Sequence, residues 1–162
     1  MSYDAPPDSL DRSLVFDFFW KFSVFECALK REGFLRSGRN KAAEPDWKKF
    51  RKSIRGRFPE VILNGFKEAV RALIEASPCR QIVCERRLGW EDLFRMDDES
   101  EEEFVLRLVS AVRNNLFHGG KYPDGPIDEI ARDTAIIRAA CTVLEGCYEV
   151  HAGVRRRIDD SA

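Results

Sequence analysis

Apolar residues recur along this chain mostly three and four positions apart, the spacing that lines one side of an α-helix. The first such run predicts a helix that starts around Asp8 and Asp11 and stops at Gly33. Leu14, Phe18, Phe22, Phe25 and Leu29 form its stripe, and Val15, Phe16, Phe19 and Trp20 carry apolar surface well beyond it. A helix apolar over so much of its circumference belongs at the centre of a bundle or against a second chain. Residues 34–45 read as a polar loop. Pro45-Asp46 then opens a short helix with Trp47, Phe50 and Ile54 on one face and Lys/Arg on the other, ended by Gly56. Pro59 starts a further helix with Ile62, Phe66, Ala69, Val70 and Leu73 inward, and Ser77-Pro78 stops it.

Residues 79–94 admit either a small β-hairpin or a loop. The acidic run 97–103 suits the exposed start of the next helix, where the N-terminal dipole favours carboxylates. Phe104, Leu108, Val112 and Leu116 turn that helix toward the core, and Gly119-Gly120 closes it. A last long helix spans about 128–150, with Ile130, Ile137, Cys141, Leu144 and Tyr148 on its apolar face. The expectation is an all-α fold: an antiparallel bundle of four long helices and one short one, with room for a small hairpin near 80–90. It is read as one domain over 1–162, with frayed tails at 1–8 and 154–162.

Composition narrows the class. The chain is 44% hydrophobic and 34% charged with a net charge of −1, which fits a globular protein and not a polycation. The charge is unevenly placed. Residues 30–57 hold eleven Lys/Arg against three Asp/Glu, and residues 91–103 hold eight Asp/Glu against one Arg. Five cysteines, an odd and scattered set, point to a reducing compartment and not to a disulfide scaffold. Cys79 and Cys84 are at most half a zinc site, and no metal or other cofactor is expected. The opening MSYDAPPDSLDR lacks the pattern of a secretory signal. The apolar stretch 14–29 is broken by Asp17, Lys21 and Glu26, so no membrane span is read. These features favour the cytoplasm.

One stretch carries candidate chemistry: VRNNLFHGGKYP, residues 112–123. Asn114 and His118 are four apart and share a helix face, whereas Arg113 and His118 are five apart, about 140° around the axis. The carbonyl end of the helix favours an imidazolium at His118, which keeps its titration in the range useful for acid–base work. The glycines after it leave room for a backbone or a phosphate. A histidine before glycine at a helix end is also an ordinary cap, so spacing alone leaves both readings open.

The string Arg113-Asn114-Asn115-Leu116-Phe117-His118-Gly119 resembles the Arg-x4-His signature of HEPN domains, helical domains of prokaryotic toxins, antiviral effectors and RNA-processing factors. The first helix, FWKFSVFECALKREGF, and the GGKYP after the motif are similar to stand-alone members. The resemblance implies a metal-independent endoribonuclease in which the RNA 2′-OH attacks its own phosphate, leaving 2′,3′-cyclic phosphate and 5′-OH ends. In this chain His118 would be the acid or base, Arg113 would stabilise charge on the phosphoryl oxygens, and Asn114 would orient His118 or hold an oxygen. Glu26 is a supporting candidate from another helix, with an exposed pair to Lys30 as its plainer reading, and Lys121 is a phosphate candidate. Lys48, Lys49, Arg51, Lys52 and Arg55 beside Trp47, Phe50 and Phe58 suit RNA contact, or else form the solvated face of a helix whose aromatics are core. A single histidine does not readily serve as both acid and base, so a homodimer is expected. A toxin or defence effector restrained by an antitoxin or other regulatory protein is the implied setting. The competing reading is a non-catalytic RNA- or nucleotide-binding or adaptor module of the same fold.

Overall fold

The computed structural model describes residues 10–117 and 127–160. The first element, α1 (Arg12–Arg31), is capped by Asp11, whose carboxylate accepts from the Ser13 N–H at 2.8 Å. Its predicted stripe is buried through Phe18, Phe22, Phe25 and Leu29. The chain then turns through Gly33 at φ 90°.

The expected polar loop over 34–45 is instead a two-stranded antiparallel ribbon, β1 (Leu35–Ser37) with β2 (Ala43–Pro45). Helix α2 (Trp47–Ser53) follows, with the Asp46 carboxylate accepting from the Lys49 N–H at 2.9 Å. Phe50 and Ile54 are sealed in the core. The helix expected from Pro59 does not form there. Phe58–Glu60 make one 3-10 turn, Gly65 takes φ 78°, and α3 (Phe66–Ala76) begins only after it. Ile62 therefore falls in the link and is 92% exposed, while Phe66, Ala69, Val70 and Leu73 point inward.

Residues 80–91 form a hairpin, β3 (Arg80–Cys84) with β4 (Arg87–Glu91). The two ribbons correct the all-α expectation: the fold is mixed, six helices with two small antiparallel sheets of two strands each among the described residues. The physical reason is that neither ribbon carries an alternating apolar face. All three residues of β1 are exposed. Cross-strand charge pairs stand opposite one another instead, Arg36 with Glu44 and Arg80 with Glu91. The second turn places Glu85 at φ 48° and Arg86 at φ 64°, the tight geometry that Asn-Gly usually marks.

Helix α4 (Glu101–Phe117) starts with a reciprocal capping box: Ser100 N–H donates to Glu103 Oε2 at 3.0 Å and Glu103 N–H to Ser100 Oγ at 3.3 Å. The acidic run before and within it is only in part the exposed helix start that was expected: Asp97, Asp98 and Glu101 are exposed. Glu99, Glu102 and Glu103 are buried. Arg55 bonds Glu103, and Arg107 bonds both oxygens of Glu99 at 2.9 and 2.8 Å, so these two carboxylates are matched by arginines from the turn after α2 and from α4 itself. Helix α5 (Ile127–Val150) packs on α1, α3 and α4. A sixth helix, α6 (Ala152–Asp159), replaces most of the tail expected to fray, because Val154 is fully buried and His151 caps the turn. Residues 1–8 and 161–162 of the expected tails lie outside the described residues. Among the described residues, no helix is long and apolar enough to cross a membrane.

Candidate nucleic-acid interface

The last two turns of α4 carry the first half of the motif. Val105, Leu108, Val109 and Val112 anchor the helix in the core, which leaves Arg113 half-buried and Asn114 exposed. The Arg113 guanidinium lies over the Phe117 ring at 4.7 Å and the Phe22 ring at 5.6 Å, and its Nη1 donates to Asn114 Oδ1 at 3.0 Å. Two rings and an amide thus hold the fork in one orientation. Asn115, the neighbour of Asn114, does structural work: it is buried and its Nδ2 donates to the Cys79 carbonyl at 2.8 Å, tying α4 to the start of the second hairpin. His118 and Lys121 lie outside the described residues.

Glu26 does not pair with Lys30. It accepts from the Trp47 indole N–H at 2.9 Å. Trp47 stacks on Phe25 with an interplanar angle of 9°, and its centroid lies 5.2 Å from Phe22. A continuous path of contacts therefore runs from Glu26 through Trp47 and Phe22 to Arg113, without a direct Glu26–Arg113 ion pair among the described residues.

The basic stretch separates into different environments. Lys48 and Arg51 line a groove of about 360 Å³ shared with Asn114. Lys49 sits 5.9 Å above the Phe34 ring. Lys52 is exposed. Arg55 is engaged by Glu103 and by the Asp98 carbonyl at 3.1 Å. Phe50 and Phe58 are buried, so neither offers a ring face for base stacking, and Trp47 is half-buried with its N–H committed.

The groove also gathers Arg36 from β1, Arg80 from β3 and Arg107 from α4. These three were not singled out in the sequence. They come from elements far apart in the chain, and only Arg36 falls within the basic stretch. Arg36, Arg80 and Arg107 each carry a carboxylate partner, Glu44, Glu91 and Glu99. Arg51 carries none within ion-pair distance among the described residues; its Nε donates to the Trp47 carbonyl at 3.2 Å. Burial lowers its pKa, Arg107 adds to that effect, and Glu99, Glu103 and Asp46 oppose it. A guanidinium remains charged under such a shift.

Cys141 and Cys147 are buried, and Cys27 and Cys84 are exposed. Among the described residues, no group of three or more His, Cys, Asp or Glu is arranged to hold a metal ion. No family model matches the chain, and no curated protein or solved structure matches it either.

Proposed function

We propose that this chain is a cytoplasmic endoribonuclease of the HEPN type that cleaves RNA without a metal. The observation that supports the reading is the pairing of Arg113 with Asn114 at the end of α4, with Asn114 opening onto a groove lined by five cationic side chains. RNA brings its own nucleophile, the 2′-OH. Loss of that proton lets the oxygen attack the adjacent phosphorus, the bond to the 5′-oxygen breaks, and a proton restores the departing hydroxyl. The products are a 2′,3′-cyclic phosphate and a 5′-OH end. Arg113, held by Phe22 and Phe117, stabilises the charge that grows on the non-bridging oxygens. His118 moves the protons, one copy as base and a second copy as acid in a homodimer.

An exposed aromatic patch supports the dimer. Phe16 is 64% and Trp20 60% exposed on α1, and the exposed rings of Phe19 and Phe117 lie 4.9 Å apart beside them. Patches of this kind mark interaction surfaces. A toxin or defence effector held in check by a partner protein remains the biological setting that the motif suggests.

The test is incubation of purified protein with single-stranded RNA in EDTA, alongside His118→Ala and Arg113→Ala. The expected result is cleavage with cyclic-phosphate ends, lost in both variants. Cutting that survives both substitutions, or a wild-type protein that leaves RNA intact across its monomer–dimer range, refutes the enzyme. Binding without cutting points to the adaptor reading.

A further inference from the structure

The groove between α2 and α4 is lined by five cationic side chains, three of them in ion pairs. Arg36, Arg80 and Arg107 are held around it by their carboxylate partners, which orders their side chains in advance. Arg51 lies among them, partly desolvated, with a backbone carbonyl on Nε and, among the described residues, no carboxylate on its terminal nitrogens. Glu99 and Glu103 stand close enough to act on its charge, yet Arg107 and Arg55 engage them. Among the described residues, the one carboxylate that lines the groove, Asp46, caps α2 through the Lys49 N–H. A half-buried guanidinium with its fork open matches the spacing of two phosphate oxygens.

We infer that this groove is a phosphodiester-binding subsite for the backbone of single-stranded RNA, with Arg51 as the bidentate phosphate ligand and Lys48, Arg36, Arg80 and Arg107 as the surrounding field. Asn114 at its edge connects the subsite to Arg113, so a strand held by Arg51 has a neighbouring linkage directed toward the motif. A cationic groove follows the sugar–phosphate backbone and does not read sequence. The inference deepens the ribonuclease reading and rests on it for the choice of RNA as the polyanion.

The experiment uses a fluorescent 2′-O-methyl RNA strand, which lacks the attacking hydroxyl, so binding is measured without cleavage. Anisotropy titrations at several salt concentrations compare the wild type with Arg51→Met, Lys48→Met and a charge-matched control, Lys67→Met, on the exposed side of α3. Arg51→Met is expected to weaken binding about tenfold and to reduce the salt slope by about 0.7. Lys48→Met should show the same slope change with a smaller loss, and Lys67→Met should match the wild type. Should Arg51→Met not fold by circular dichroism, Lys48→Met and Arg51→Lys carry the comparison, the latter keeping the charge but losing the fork. Wild-type affinity and slope in both groove variants overturns the inference. So does an equal loss in Lys67→Met, or no binding of this strand by the wild type at low salt. Binding through Arg51 by a protein that leaves ordinary RNA intact sinks the ribonuclease reading alone. Cleavage that needs Arg113 and His118, with binding unchanged in the groove variants, sinks the subsite alone.

Discussion

Replacing Gly146 by alanine should destabilise this protein, although alanine is the better helix former. Gly146 lies inside α5, and a Cβ built there falls on the Phe66 ring of α3, against Cε2, Cδ2 and Cζ. The ring has little freedom to retreat, since Phe66 is buried and meets Phe58 edge-on at 5.0 Å with an interplanar angle of 89°. Two effects oppose each other. Alanine in a helix interior gains about 0.5–1 kcal/mol over glycine. Forcing a methyl group into a close-packed core costs about 1–3 kcal/mol. A deep overlap with a rigid ring places the second effect at the upper end of its range, so the net loss is about 1–2 kcal/mol. At 2–4 °C per kcal/mol, the melting temperature should fall by roughly 2–8 °C. Urea unfolding followed by circular dichroism would compare the wild type, Gly146→Ala, Phe66→Leu and the double variant. Leucine removes the ring edge, so alanine at 146 should be harmless or stabilising in that background, with a coupling of about 1–3 kcal/mol. A single Gly146→Ala variant more stable than the wild type would mean that helix propensity wins and that α3 and α5 are not in close contact at this point.

Two further predictions concern pH. Burial pushes the Glu103 carboxyl up, but the Ser100 N–H and the Arg55 guanidinium outweigh it and the net shift is downward. A carboxyl depressed in the folded state stabilises above its unfolded pKa of about 4.3 and loses that contribution as pH falls through the folded value. Glu103→Gln should therefore lower stability at neutral pH and flatten the acid limb of a stability–pH curve; superimposable limbs would exclude the role given to this carboxylate. Burial holds His151 below its ordinary pKa, Glu32 opposes it, and Nδ1 accepts from the Val154 N–H at 3.2 Å, a bond that protonation destroys. The unfolded chain takes up the proton first, so stability should fall as pH drops through about 6.5 and level off below the folded pKa. His151→Asn keeps an N-cap and should remove this step in urea unfolding, while a persistent step would assign it to another group.

Helices with a strong apolar stripe were legible in the sequence, and the rest was not, for identifiable reasons. The stripes of α1 and α4 survive because each residue facing the core repeats at the helical spacing. The first ribbon was hidden because its strands are three residues long with no buried face on β1. The hairpin could not be told from a loop because Glu85-Arg86 occupies a turn that such residues rarely enter. Ile62 looked like part of a helical stripe, yet Gly65 delays α3 past it. Of the candidate site, Arg113 and Asn114 were visible through their motif, as was the basic stretch as a block. The motif's histidine and Lys121 fall outside the described residues.

The sequence by itself determined which faces of the main helices are apolar and which residue types stand at the end of α4, because both follow from local spacing. It also set the two opposed charge lobes as totals. Only the tertiary structure decided where those charges go: Arg55 and Arg107 engage Glu103 and Glu99, while Arg51, a few residues from Arg55 on the same segment, is left facing a groove with Arg36 and Arg80. Ion pairing depends on distances of a few ångströms between residues tens of positions apart, and packing of the helices sets those distances. Local periodicity carries no information about them.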